Sequence, residues 1–134
     1  MTAVVIVAAV VAVTGCGGSD DGDTKTAVAT VTTPPDPPLQ TLDISAAASG
    51  RLRFTPRRLS AKPGRVAILM QNPKPSGKPH GVGLTGVDLN VQGLTVKPGE
   101  LSEATGEVTA GRYSFYCTVP SHAKAGMRGT LVVR

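Results

Sequence analysis

The sequence contains no tryptophan and only two tyrosines and two phenylalanines, so aromatic residues make up 3% of its 134 residues. So few rings leave almost no stacking platforms for single-stranded nucleic acid. Charged residues are also sparse, at 17%. No apolar run reaches the roughly 20 residues that a membrane-spanning helix needs, and no stretch sustains a helical period. There are only two histidines and two cysteines, which limits metal chemistry built on imidazole and thiolate to one small centre. What the chain has in quantity is valine, threonine, 16 glycines and 11 prolines. That composition favours strands separated by turns. The length suits one domain plus a leader.

The formal charge of +5 is unevenly placed. Residues 41–134 hold thirteen Lys/Arg against five Asp/Glu, a net +8, whereas residues 17–40 hold one Lys and four Asp, a net −3. A basic domain raises the question of nucleic acid. The start of the chain answers it. Ala3 to Val13 is an unbroken apolar run, short for a membrane span and right for a signal-peptide core. Val13-Thr14-Gly15-Cys16 follows and resembles a bacterial lipobox: a branched apolar residue, two small residues that a narrow peptidase cleft admits, then the cysteine. That resemblance implies cleavage before Cys16 and a lipid on its sulfur. No Lys or Arg precedes the apolar run, a departure from the usual positive start that fits a start codon upstream of Met1. Residues 1–15 are therefore expected to be a lipoprotein signal peptide. The chain is expected outside the cytoplasm, lipid-anchored to a bacterial cell membrane on its surface or periplasmic side, with no nucleic-acid partner. The basic face is then read as a means of steering a charged protein partner, or as solubilising surface charge.

Residues 16–40 read CGGSDDGDTKTAVATVTTPPDPPLQ, a composition of flexible tethers that stiffens at the proline cluster just before the domain. From Thr41 onward short alternating segments are separated by Lys62-Pro63-Gly64, Lys97-Pro98-Gly99 and Ala110-Gly111. Strands are expected at residues 41–46, 52–54, 57–61, 66–70, 82–84, 88–91, 94–96, 101–108, 112–117 and 129–133. Many short strands at this spacing predict an all-β sandwich over residues 41–134.

The chemistry concentrates in Tyr116-Cys117-Thr118-Val119-Pro120-Ser121-His122-Ala123-Lys124-Ala125-Gly126-Met127. A thiolate, an imidazole and a thioether follow one another with four residues between each pair. Strand alternation puts Tyr113, Phe115 and Cys117 on one face, so Cys117 should enter a site from inside the sandwich. Val119-Pro120 turns the chain, and Gly126 allows the bend into Met127. The remaining histidine, His80, lies upstream in Lys78-Pro79-His80-Gly81-Val82. Two imidazoles and a thiolate with a distant thioether form the ligand set of a blue-copper site. Zinc also takes Cys and His, but a thioether suits it poorly. A binuclear copper centre needs a second loop cysteine, and Cys117 is the only cysteine in this loop. Singly, each of these residues has an ordinary alternative: Cys117 and Met127 as packing, His80 as a turn residue, His122 as surface. The order and spacing together favour the metal.

These residues resemble the cupredoxins, the plastocyanin/azurin group, which carry Cys, His and Met on such a loop. Phe54-Thr55-Pro56, Leu59-Ser60-Ala61-Lys62-Pro63-Gly64-Arg65-Val66, Gln71-Asn72-Pro73 and Ala110-Gly111-Arg112-Tyr113-Ser114-Phe115-Tyr116-Cys117 resemble family stretches too. The gap between Cys117 and His122 is nearer to azurin-like and auracyanin-like members than to plastocyanin. The resemblance implies a Greek-key β-sandwich of about seven or eight strands with one type 1 copper ion held by His80, Cys117, His122 and Met127. It implies a monomeric one-electron carrier, not an enzyme, that meets membrane-bound or extracytoplasmic redox partner proteins at an apolar patch around His122, rimmed by Lys78 and Lys124. One departure stands out: most members follow the first ligand histidine with Asn, which ties the two ligand loops together, and here the residue is Gly81. A copper-holding or copper-delivery protein of the same fold is the alternative that this departure leaves open.

Overall fold

Alternation of apolar and polar side chains decides which face of each strand meets the core. In the computed structural model, which describes Asp36 and residues 38–134, Val66, Ile68 and Met70 point inward as the alternation requires, and each is 0% exposed. They lie on β4 (Gly64–Gln71), which pairs with β1 (Gln40–Ala46) in parallel and with β7 (Leu101–Val108) antiparallel. The two-residue β2 (Phe54–Thr55) completes a four-stranded sheet of order β2-β1-β4-β7. The second sheet is built from β3 (Arg58–Ala61), β5 (Gly83–Gly86), β6 (Leu89–Gln92), β8 (Gly111–Tyr116) and β9 (Arg128–Val133), in the order β3-β9-β8-β5-β6. The chain changes sheet from β2 to β3, β3 to β4, β4 to β5, β6 to β7 and β7 to β8, so most of its contacts are between segments distant in sequence.

The inner faces share one core that includes Ile44, Phe54, Val66, Ile68, Met70, Leu84, Phe115 and Leu131. Phe54 and Phe115 meet across it with ring centroids 5.9 Å apart. The all-β sandwich expected from the sequence is present, with nine strands where the strand pattern marked ten segments and the family resemblance implied seven or eight.

Two local expectations need correction. Residues 94–96 are not a strand. Only Val96 forms a bridge, to His80, while the carbonyl of Leu94 accepts a hydrogen bond from the Ser102 hydroxyl at 2.6 Å and Pro98 removes the next ladder donor but one. The segment after Cys117 also contains a short helix, α1 (Pro120–Lys124). Pro120 occupies the first turn, where its missing N–H is no loss, and five residues are too few to show a period in sequence. Among the described residues no helix is long and apolar enough to cross a membrane. The expected signal peptide over residues 1–15, Cys16, and nearly all of the tether over residues 16–40 lie outside the described residues.

Candidate metal centre

Cys117 continues the alternation of β8 one residue past its end. Tyr113, Phe115 and Cys117 share the inner face, at 7%, 0% and 1% exposure. The next residues build a closed loop. The amide of Cys117 donates to the carbonyl of Met127 at 3.0 Å, and the amide of Met127 donates to the carbonyl of His122 at 3.0 Å. The amide of His122 in turn donates to the carbonyl of Val119 at 3.0 Å. Three of the residues with candidate donor atoms are therefore fixed to one another through the backbone alone. Gly126 sits at φ 96°, where a Cβ would meet nothing within 4 Å. The glycine is needed for its conformation, since other residues are strained in that region.

His80 arrives from the other side of the sandwich end. Its amide donates to the Val96 carbonyl at 3.1 Å, and its carbonyl accepts from the Val96 amide at 2.8 Å. Behind it, the fully buried Asn72 organises the approach. Its amide nitrogen Nδ2 donates to the carbonyls of Lys78 at 2.9 Å and Val96 at 3.2 Å, and its Oδ1 accepts from the Ser76 hydroxyl at 2.6 Å. Asn72→Ala removes both donors and the acceptor in a buried place. It is expected to destabilise the protein by about 2 kcal/mol, read as a lower urea midpoint at unchanged slope.

These two constructions bring three side chains to one point. His80 Nδ1 and His122 Nδ1 are 3.2 Å apart, and each is 3.8 Å from Cys117 Sγ. Three coplanar donors bound to a first-row metal ion at about 2.0–2.3 Å stand roughly 3.5 Å apart, so the triangle has the right size. His80 and Cys117 are buried and His122 is half-buried. Burial holds the pKa of His80 down, to about 4, with the neighbouring His122 and Lys78 acting in the same direction. Burial and Lys78 lower His122 as well. Both imidazoles therefore stay neutral near pH 7, with lone pairs available. His80 Nε2 is buried with no hydrogen-bond partner among the described residues, so nothing competes for its ring from the far side. Met127 is 0% exposed at the end of the same loop. Two imidazoles and one cysteine sulfur, with a buried methionine at the end of the same loop, make up the His₂Cys-plus-Met ligand set of a blue-copper site.

The structure thus brings together His80, Cys117 and His122 and ties Met127 to two of them. It also shows positioning residues that the sequence did not single out: Asn72, Ser102, Thr95 and Thr118. Gly81, which stands where the family usually has Asn, is informative here. Its φ is outside the left-handed region, so conformation does not demand glycine. Space does: a Cβ there would come 2.1 Å from Thr118 Oγ1 and 2.8 Å from the Leu94 carbonyl oxygen. Thr118 Oγ1 fills the room and hydrogen-bonds Thr95 Oγ1 at 2.7 Å, while the Thr118 amide reaches the Gly81 carbonyl at 3.4 Å. The segments that follow His80, precede Val96 and follow Cys117 are stitched together by this hydroxyl pair. Thr118→Val is expected to cost about 0.5–1.5 kcal/mol and to shift the visible band of the copper-loaded protein. Thr95→Val should do the same, and the double variant should add little to either single change, as chemical unfolding and absorption spectra will show.

A β-sandwich with two imidazoles and a thiolate converging at one end, and a methionine closing the loop, defines a mononuclear copper protein. The comparisons with known proteins agree. Residues 42–134 match the family model of copper-binding proteins of the plastocyanin/azurin family, and the chain belongs to that family. Among solved structures it is similar to auracyanin B, with 25% identity and a TM-score of 0.60 over 71% of this chain and 88% of that one. It is similar in fold to auracyanin A, a "blue" copper protein from the green thermophilic photosynthetic bacterium Chloroflexus aurantiacus, with 22% identity and a TM-score of 0.60 over 72% of this chain and 100% of that one. The auracyanin of the photosynthetic bacterium Roseiflexus castenholzii gives 17% identity and a TM-score of 0.58 over 71% and 97%. None of the curated proteins matches this chain. Copper is the cofactor that family and donor set together support.

Proposed function

We propose that the protein is a blue-copper electron carrier whose metal is held by His80, Cys117 and His122, with Met127 as a weak axial ligand. The observation that carries this reading is the convergence of two imidazole nitrogens and one thiol sulfur within 4.8 Å of one another at the end of a rigid sandwich. Copper bound there supplies one electron at a time by alternating between Cu(I) and Cu(II).

The chain's own part is to keep the ligands still. The backbone bonds among Cys117, His122 and Met127, and the bridge from His80 to Val96, hold the donors in one arrangement for both oxidation states. Little then has to reorganise when the electron moves. Four protein ligands leave no position for a substrate, which supports a carrier and not an enzyme. The half-buried His122 lies on α1 between the exposed Pro120 and Ala125, and this small apolar surface is where a redox partner protein docks. Lys124 stands exposed beside it. The Lys78 ammonium is engaged by the Gly50 carbonyl at 2.8 Å, so Lys124 is the freer of the two cations expected at the rim. Docking on so small a patch is short-lived, as a shuttle needs.

Protein voltammetry with chelator challenge tests the carrier reading. A reversible one-electron wave, with copper retained against a Cu(I) chelator, is expected; an irreversible wave with rapid loss of metal would instead mark a delivery protein.

The reading extends to location. The lipobox-like Val13-Thr14-Gly15-Cys16 and the polar tract after it support a monomeric carrier tethered by lipid on Cys16 to the outer side of a bacterial membrane. Cys16→Ala is expected to move the protein from the membrane fraction to a detergent-independent soluble or unprocessed form, followed by fractionation and mass spectrometry of the amino terminus. An unmodified, wholly soluble wild-type protein contradicts it.

A further inference from the structure

Strands β3, β8 and β9 read RLSA, GRYSFY and RGTLVV: three arginines and no acidic residue. The register of the five-stranded sheet sets Arg58 and Ser114 abreast of Thr130, on either side of it. Leu131 is 0% and Phe115 0% exposed, so these strands turn the alternate residues, Arg58, Thr130 and Ser114, to the outer face. Arg128, two residues before Thr130, shares that face. Arg57 adds a third guanidinium from just ahead of β3, where its carbonyl accepts the Thr130 amide at 2.9 Å. Together with Gly129 these five residues line a concavity of about 480 Å³.

Nothing in that lining is negative. The only ion pair among the described residues joins Arg65 to Asp36 at 2.9 Å, so Arg57, Arg58 and Arg128 have no carboxylate there. Three like charges around one hollow repel one another, and a bound anion would relieve them. Guanidinium groups present paired N–H donors that fit phosphate oxygens two at a time. Thr130 and Ser114 line the same hollow, with the Ser114 hydroxyl donating to the Gly129 carbonyl at 3.3 Å. A concave hollow lined by three guanidinium groups suits a multiply charged oxyanion group that enters it better than a flat acidic surface.

We propose that this concavity is a binding site for a phosphate group, taken either as free phosphate or as the headgroup of an anionic lipid. It contains none of the proposed metal ligands but adjoins their loop: Arg128 directly follows Met127, and its Nη2 donates to the carbonyl of Ala123 at 3.2 Å, on the helix that carries His122. Occupancy is therefore reported both at the arginines and at Ala123.

The test is an NMR titration of the full chain with sodium phosphate, sodium chloride holding ionic strength constant. Saturable amide shifts are expected at Arg57, Arg58, Arg128 and Ala123. The double variant Arg58→Gln/Arg128→Gln, which changes only exposed side chains, should lower the affinity at least tenfold. Arg65→Gln, distant in register and already paired, should leave it unchanged. In parallel, the Cys16→Ala chain, free of attached lipid, is floated with vesicles of pure phosphatidylcholine or with added phosphatidylglycerol. Binding that needs phosphatidylglycerol and is lost in the arginine double variant assigns the site to a lipid headgroup; saturable shifts with free phosphate alone assign it to the free anion. If wild type and double variant behave alike in both arms, the proposal is overturned.

Discussion

Cys117→Ser should take up copper weakly and show no intense visible colour. The colour of a site of this class arises when light moves charge from the cysteine sulfur to Cu(II), and an oxygen in its place pushes that transition out of the visible. Among the described residues Cys117 is the only donor of that kind beside His80 and His122, so the loss should be complete, not partial. The sandwich itself should survive. Cys117 is 1% exposed, and exchanging its thiol for a hydroxyl buries one polar group at a cost of roughly 1–3 kcal/mol. The backbone bond from its amide to Met127 is untouched. Circular dichroism and absorption of the Cu(II)-treated variant, set beside wild type, check both halves. A variant that remains intensely coloured removes Cys117 from the site.

Met127 should govern the reduction potential. Met127 closes the loop of Cys117 and His122 through its backbone, and its buried thioether would donate weakly to a bound copper ion. In Met127→Leu that donation is gone and an apolar wall remains. Cu(II) loses more stabilisation than Cu(I), so the potential rises. Met127→Gln offers an amide oxygen, a harder donor that prefers Cu(II), and the potential falls. Both variants should still bind copper, since His80, Cys117 and His122 supply the strong ligands. Voltammetry of the three proteins in one buffer decides the matter. Shifts of the same sign, or none, would make Met127 a packing residue.

Much of this was legible in the sequence because it depends on local periodicity. The alternation at Val66, Ile68 and Met70, and again at Tyr113, Phe115 and Cys117, carries over directly into the buried faces of β4 and β8. The spacing from Cys117 through His122 to Met127 was legible for a similar reason: one loop folds on its own backbone, and its closing hydrogen bonds join residues at most ten apart in sequence. What was hidden depends on strands far apart in the chain. Asn72 looked like one member of a family-like stretch, and only the fold shows it bonded to Lys78, Val96 and Ser76. Gly81 read as a gap in the site's bracing; the structure shows Thr118 in the space a side chain would need and Thr95 as its partner. The arginine-lined concavity exists because β3 and β8 flank β9, a neighbourhood that no pattern within a single segment announces. The short helix α1 escaped notice because one turn has no period to read.

The central claim is that this fold holds one copper ion through a cysteine thiolate. Titration of the purified, metal-free protein with Cu(II), followed by visible absorption, tests it most directly. An intense visible band that grows linearly and stops at one equivalent of copper is the predicted result. Pale solutions throughout, or a band that keeps growing beyond one equivalent, would contradict it.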